Sequence, residues 1–116
     1  MNLNDERFLL RQEAFDFHRL LFGMVLCDCC RTVLATEYHE IVSRKRMGGA
    51  SDEDKLASFA PELCSCLCRN CHERIAPTPA GRQQLLAFNI SIYGYEAVED
   101  ALEAIPDQFR QDIELP

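Results

Sequence analysis

Four of the seven cysteines in this chain form two pairs, Cys27-x-x-Cys30 and Cys68-x-x-Cys71, with 37 residues between them. A CxxC pair places two thiolates on one side of a tight knuckle, and two knuckles complete a tetrahedral four-cysteine zinc site. Such a site is coordinatively closed, so its zinc is expected to be structural rather than catalytic. A second group of residues is interleaved with these pairs. His39-Glu40 falls between the knuckles, and His72 directly follows Cys71. Imidazole and carboxylate are both metal ligands and both general bases. Cys29, Cys64 and Cys66 are left over. They read as small apolar side chains packed beside the zinc site, with ligand exchange inside the cluster or a redox dithiol as alternatives.

The elements that must position these groups read as follows. A helix is expected over residues 5–24, capped by Asn4, with Leu10, Ala14, Phe17, Leu21 and Met24 as its apolar stripe. His18 on this helix has no partner in sequence and reads as a surface residue. Residues 25–43 have strand character, and 47–54 read as a polar loop containing Gly48 and Gly49. A short strand is expected over 63–67 and a short helix over 69–76, ended by Pro77. Thr78-Pro79 opens a helix running to Tyr93, with Gly94 as its C-cap. A last helix is expected at 95–105, stopped by Pro106. The fold class is α+β: a small zinc-bearing core over 25–76, an N-terminal helix over 1–24 and a helical extension over 77–116, together one domain.

Composition is that of a globular protein, with 47% hydrophobic and 27% charged residues. The net charge is −7, which taken alone argues against a non-specific nucleic-acid coat. The charge is unevenly placed. Residues 27–82 carry eight basic and eight acidic groups, whereas residues 83–116 carry one basic and seven acidic groups. The centre also holds the basic run Arg44-Lys45-Arg46. The N-terminal MNLNDERFLLRQE lacks the pattern of a signal peptide, so a cytoplasmic, reducing location is expected, where clustered cysteines indicate metal rather than disulfides.

The order CDCC at 27–30, YHEIVSRKRMGG at 38–49 and LCRNCHERI at 67–75 resembles the HNH endonuclease family, whose ββα-metal fold is often braced by zinc knuckles. The resemblance covers about residues 25–76. It implies a β-hairpin and a short helix that grip one divalent ion, Mg²⁺, Mn²⁺ or Ni²⁺, and hydrolyse DNA phosphodiester bonds. By position, His39 matches the first metal ligand and His72 the second, and Glu40 stands where the family has its general-base histidine. In the alternative register His39 is the base and Glu40 the ligand. Five positions before Cys68, where the family carries a backbone-holding Asn, this chain has Leu63. The resemblance also implies that Arg44, Lys45 and Arg46 face nucleic acid, with Arg69 and Arg74 adding to that surface by phosphate contact.

Two other readings accompany the nuclease. One is a catalytically degenerate zinc module that binds DNA or a protein partner, with the acidic C-terminal helices as the docking surface. The other is a purely structural zinc-ribbon subunit of a larger assembly.

Overall fold

The computed structural model describes residues 2–116. Helix α1 spans Leu3–Phe22. It starts two residues earlier than the sequence suggests, because Asn2, not Asn4, is the cap: its side chain accepts the Asp5 N–H at 2.9 Å. Asp5 and Glu6 then lie in the first turn, where carboxylates favour the helix dipole. The buried face is Ala14, Phe15 and His18, while Leu21 and Met24 of the expected stripe stay exposed. His18 is therefore not a surface residue. The face turned inward carries polar groups, so apolar periodicity alone misplaces it.

The strand character of 25–43 yields less sheet than expected. One isolated bridge joins Leu26 to Leu34, and strand β1 is confined to Glu37–Glu40. Between them the first cysteine knuckle turns the chain, with Arg31 in the left-handed region at φ 56. β1 pairs antiparallel with β2, Cys64–Leu67, in the register Tyr38↔Cys66 and His39↔Ser65. β2 is buried along its whole length and is introduced by a 3-10 turn at Pro61–Leu63.

The loop expected at 47–54 is cut short by a helix, α2, over Asp52–Ala57. Ser51 caps it by accepting the Asp54 N–H at 3.1 Å, and Asp52, Glu53 and Asp54 fill its first turn. That acidic run is a helix-start signal rather than a loop signal. Helix α3, Arg69–Arg74, follows β2 directly, capped by Cys68.

Helix α4 spans Pro79–Tyr93 between its expected ends, with the Thr78 hydroxyl accepting the Gly81 N–H at 2.9 Å. Gly81 is obligatory here, since a Cβ would lie 1.9 Å from the Ile75 carbonyl oxygen. Gly94 sits at φ 95, ψ 148, a conformation open essentially to glycine, and joins α4 to α5, Tyr95–Glu103. Leu85 and Leu86 of α4 and Val98 and Leu102 of α5 enclose the main core with Leu63 and Leu67 of the hairpin region. A smaller cluster, Ala14, Phe15, Val25 and Cys66, fixes α1 against the sheet. The result is an α+β globule: an N-terminal helix, a β-hairpin with a cysteine cluster, and C-terminal helices. Among the described residues, no helix is long and apolar enough to cross a membrane.

Candidate functional site

The two knuckles meet. The Sγ atoms of Cys27, Cys30, Cys68 and Cys71 all lie within 4.8 Å of one another. A tetrahedral ion with Zn–S bonds of about 2.3 Å holds its sulfurs about 3.8 Å apart, so the cluster needs at most a small contraction to close on zinc. In the first knuckle the Arg31 N–H donates to the Cys27 carbonyl at 2.9 Å, and the left-handed Arg31 lets the chain reverse. In the second, β2 delivers Cys68 and the first turn of α3 delivers Cys71, whose N–H donates to the Cys68 Sγ at 3.5 Å. The Thr32 hydroxyl, 3.2 Å from the Cys30 Sγ, and the Thr32 N–H hold that thiol down at about 6. Burial pushes the Cys27 and Cys71 thiols up. The four-sulfur donor set is consistent with a structural zinc ion and leaves no protein-imposed open position.

The remaining cysteines separate. Cys29 lies beside the cluster, its carbonyl accepting from the Gln84 side chain at 3.1 Å. Cys64 and Cys66 are buried on β2 and their thiols are raised by burial. Cys66 adjoins an ion pair that the sequence did not reveal. His18 Nε2 lies 3.0 Å from Asp28 Oδ1, and His18 Nδ1 lies 2.7 Å from the Ala14 carbonyl oxygen. Asp28 Oδ2 accepts the Cys66 N–H at 2.8 Å. Both ring nitrogens of His18 face acceptors, which calls for an imidazolium. Burial opposes that charge, but Asp28 and the Ala14 carbonyl outweigh it and the His18 pKa is raised. This network ties α1 to the first knuckle and to β2.

Strand alternation sorts the motif residues. Glu37 and His39 share one face of β1 and meet α3. The His39 and His72 rings lie edge to face, 5.0 Å between centroids. Glu37 Oε1 lies 2.7 Å from His72 Nδ1, and this contact holds the Glu37 carboxyl below its ordinary range. Burial, reinforced by His72, lowers the His39 pKa to about 4, so the ring is neutral at neutral pH. Tyr38 and Glu40 share the other face. The Tyr38 hydroxyl donates to the Phe59 carbonyl at 3.1 Å. Glu40 is held between the guanidinium groups of Arg7 and Arg44, the latter at 3.2 Å.

Leu63, at the position where the resemblance implies Asn, is fully buried in the core. The carbonyls on either side of it, Glu62 and Cys64, instead accept from the Asn89 side chain of α4 at 3.0 and 2.9 Å. No local sequence signal marks Asn89 for this task.

The chain matches no protein-family model, no curated protein and no solved structure. Among the basic residues singled out from the sequence, Arg44 pairs with Glu40, and Arg46 makes a two-pronged pair with Asp112. Arg69 lies 3.3 Å from Glu37 and 3.5 Å from Glu73, and Lys45 and Arg74 are exposed. The acidic C-terminal segment is thus not wholly separate from the basic loop. A cavity of about 410 Å³ opens beside β1, bounded by Arg7 and Arg11 of α1, Glu37 and Glu40, Arg44, and His72 of α3.

Proposed function

We infer that this chain is an HNH-type metal-dependent endonuclease or nickase that hydrolyses DNA phosphodiester bonds. The observation that carries the reading is the His39–His72 pair. These residues are 33 positions apart, on a strand and a helix, and their rings come within 5.0 Å between centroids beside the cysteine cluster. Imidazole and carboxylate are donor types that a divalent cation takes. Glu37 engages Nδ1 of His72, so Nε2 would be the ligating atom, and a carboxylate behind a ligating histidine is the usual supporting arrangement. His39 is neutral, so its lone pair is available.

A divalent ion held by His39 and His72 would stabilise charge on the scissile phosphate and the leaving oxygen. The chain's own residues do the rest. Glu37 fixes the orientation of the His72 ring. Glu40 is the base the resemblance implies; it lies on the opposite face of the strand from the histidines but lines the cavity that His72 also borders, and it would take a proton from water there once Arg7 and Arg44 release its carboxylate. Asn89 holds the turn that leads into β2.

The test is plasmid nicking by the zinc-loaded protein with Mg²⁺, Mn²⁺ or Ni²⁺. Loss of nicking in His39→Ala and His72→Ala, and a strong reduction in Glu40→Ala, is expected. Nicking that survives His39→Ala or His72→Ala places the activity elsewhere. A second reading, a catalytically degenerate zinc module that binds DNA or a protein partner, is favoured by one feature: Glu40 is neutralised by two arginines. Absence of nicking with retained DNA binding selects it, and capture of a protein by the acidic C-terminal helices instead of DNA selects its protein-binding form.

A further inference from the structure

We propose that the cavity between α1 and β1 is a binding groove for the phosphodiester backbone of a nucleic acid, with Arg7 and Arg11 of α1 as its principal contacts. The inference deepens the nuclease reading and rests on it for the choice of ligand. It assigns the N-terminal helix, which lies outside the HNH-like segment, to the substrate surface. Three guanidinium groups, those of Arg7, Arg11 and Arg44, line the cavity against two carboxylates, Glu37 and Glu40. His72 borders the same cavity, so a phosphate seated there would adjoin that member of the histidine pair.

The arginines are already fixed in place. Arg7 stacks over the Phe59 ring at 4.0 Å, and Arg11 lies over the Phe15 ring at 5.4 Å and donates to the Thr36 carbonyl at 3.3 Å. Each guanidinium carries five N–H donors in a planar fork, so one contact to Glu40 or Thr36 leaves others for a phosphate oxygen. Stacked arginines lose little freedom on binding, which favours phosphate recognition here over the exposed Lys45. Occupancy also has a consequence for Glu40. A phosphate that draws Arg7 and Arg44 toward itself loosens their hold on the Glu40 carboxylate, so binding and release of the base are coupled.

The experiment measures binding of the full, zinc-loaded chain to a short labelled DNA duplex by fluorescence anisotropy, without added divalent metal, across about 50–200 mM salt. Arg7→Gln and Arg11→Gln are compared with wild type and with Arg19→Gln, an exposed position on the same helix outside the cavity. Each lost phosphate contact reduces the slope of log K against log salt by about 0.9. Arg7→Gln and Arg11→Gln are each expected to show that reduction and about a threefold loss of affinity at moderate salt, and Arg19→Gln neither. Arg11 makes no pair with Glu40, so Arg11→Gln remains informative if Arg7→Gln unfolds. Wild-type slope and affinity in Arg11→Gln, or no duplex binding by wild type, overturns the groove. Parallel nicking assays keep the two readings apart. Arginine-dependent binding without nicking keeps the groove and removes the nuclease, whereas nicking with affinity unchanged in Arg11→Gln does the reverse.

Discussion

The buried pair of His18 and Asp28 offers a sharp test of how this fold is held. The two side chains are 2% and 0% exposed, and together they join α1, the first knuckle and β2. His18→Leu keeps a similar volume but leaves the buried Asp28 carboxylate only the longer Arg31 contact at 3.7 Å, with its second oxygen still committed to the Cys66 N–H at 2.8 Å. Removing one partner of a buried pair costs about 3–5 kcal/mol. For a domain of this length about 4 °C per kcal/mol is expected, so the melting temperature falls by about 12–20 °C. Asp28→Asn is predicted to behave quite differently. Its amide oxygen can keep the Cys66 N–H, and its NH2 can donate to Nε2 of a neutral His18 whose Nδ1–H still reaches Ala14. Every hydrogen bond survives, and only the partly exposed Arg31 guanidinium, 3.7 Å from Oδ1, loses a charge partner, so the cost is about 1 kcal/mol. The assay is thermal unfolding by circular dichroism at equal zinc content, with urea titration as a check. The reasoning is refuted if Asp28→Asn destabilises as much as His18→Leu. It is also refuted if His18→Leu is nearly neutral.

Three further outcomes follow from the structure. The protein is expected to contain one zinc per chain, and a strong chelator should lower its melting temperature sharply, because structural zinc binding is folding free energy; metal analysis with unfolding scans checks both. Asn89→Leu removes the donors to the Glu62 and Cys64 carbonyls and should cost about 2–3 kcal/mol in urea unfolding, whereas a cost under about 0.5 kcal/mol would show that these bonds do not hold the turn. His39 is lowered to about 4 when folded, while an unfolded histidine titrates near 6.5. The unfolded state therefore gains its proton first as pH falls, and stability declines between about 6.5 and 4. Discounted for partial exposure, the decline is about 2 kcal/mol. His18, raised when folded, acts in the opposite sense by stabilising at low pH. Comparing wild type with His39→Gln isolates the His39 share, and identical pH profiles for the two proteins would refute it.

Signals confined to a few neighbouring residues were legible in the sequence. The CxxC spacing locates the cysteine cluster, and Thr78-Pro79 and Gly94 set the ends of α4, because caps act through adjacent backbone. Contacts made across the fold were not legible. The inward face of α1 includes Arg7, Arg11 and His18, whose partners lie on β1, the preceding turn and the first knuckle. A polar residue matched by a distant partner is indistinguishable in sequence from a solvated one. The same reason hides Asn89, which serves a turn 25 to 27 residues earlier in the chain. Residues 25–43 illustrate a different failure. Strand propensity was present, but the knuckle geometry took precedence over it between Cys27 and Arg31. Ser51 and the acids after it carry an ordinary helix-start signal, which the neighbouring glycines masked.

Helix α3 has only six residues, far short of the dozen or so that a helix needs to persist alone in water. Its first turn nevertheless carries Cys71 and, next to it, His72. The position of one member of the histidine pair is therefore inherited from the cysteine cluster rather than from the helix itself. The two sites are coupled in consequence: closing the sulfur site also fixes where the imidazole at position 72 stands. A cell short of zinc would be left with a chain whose histidines are intact but which has nowhere to bring them together.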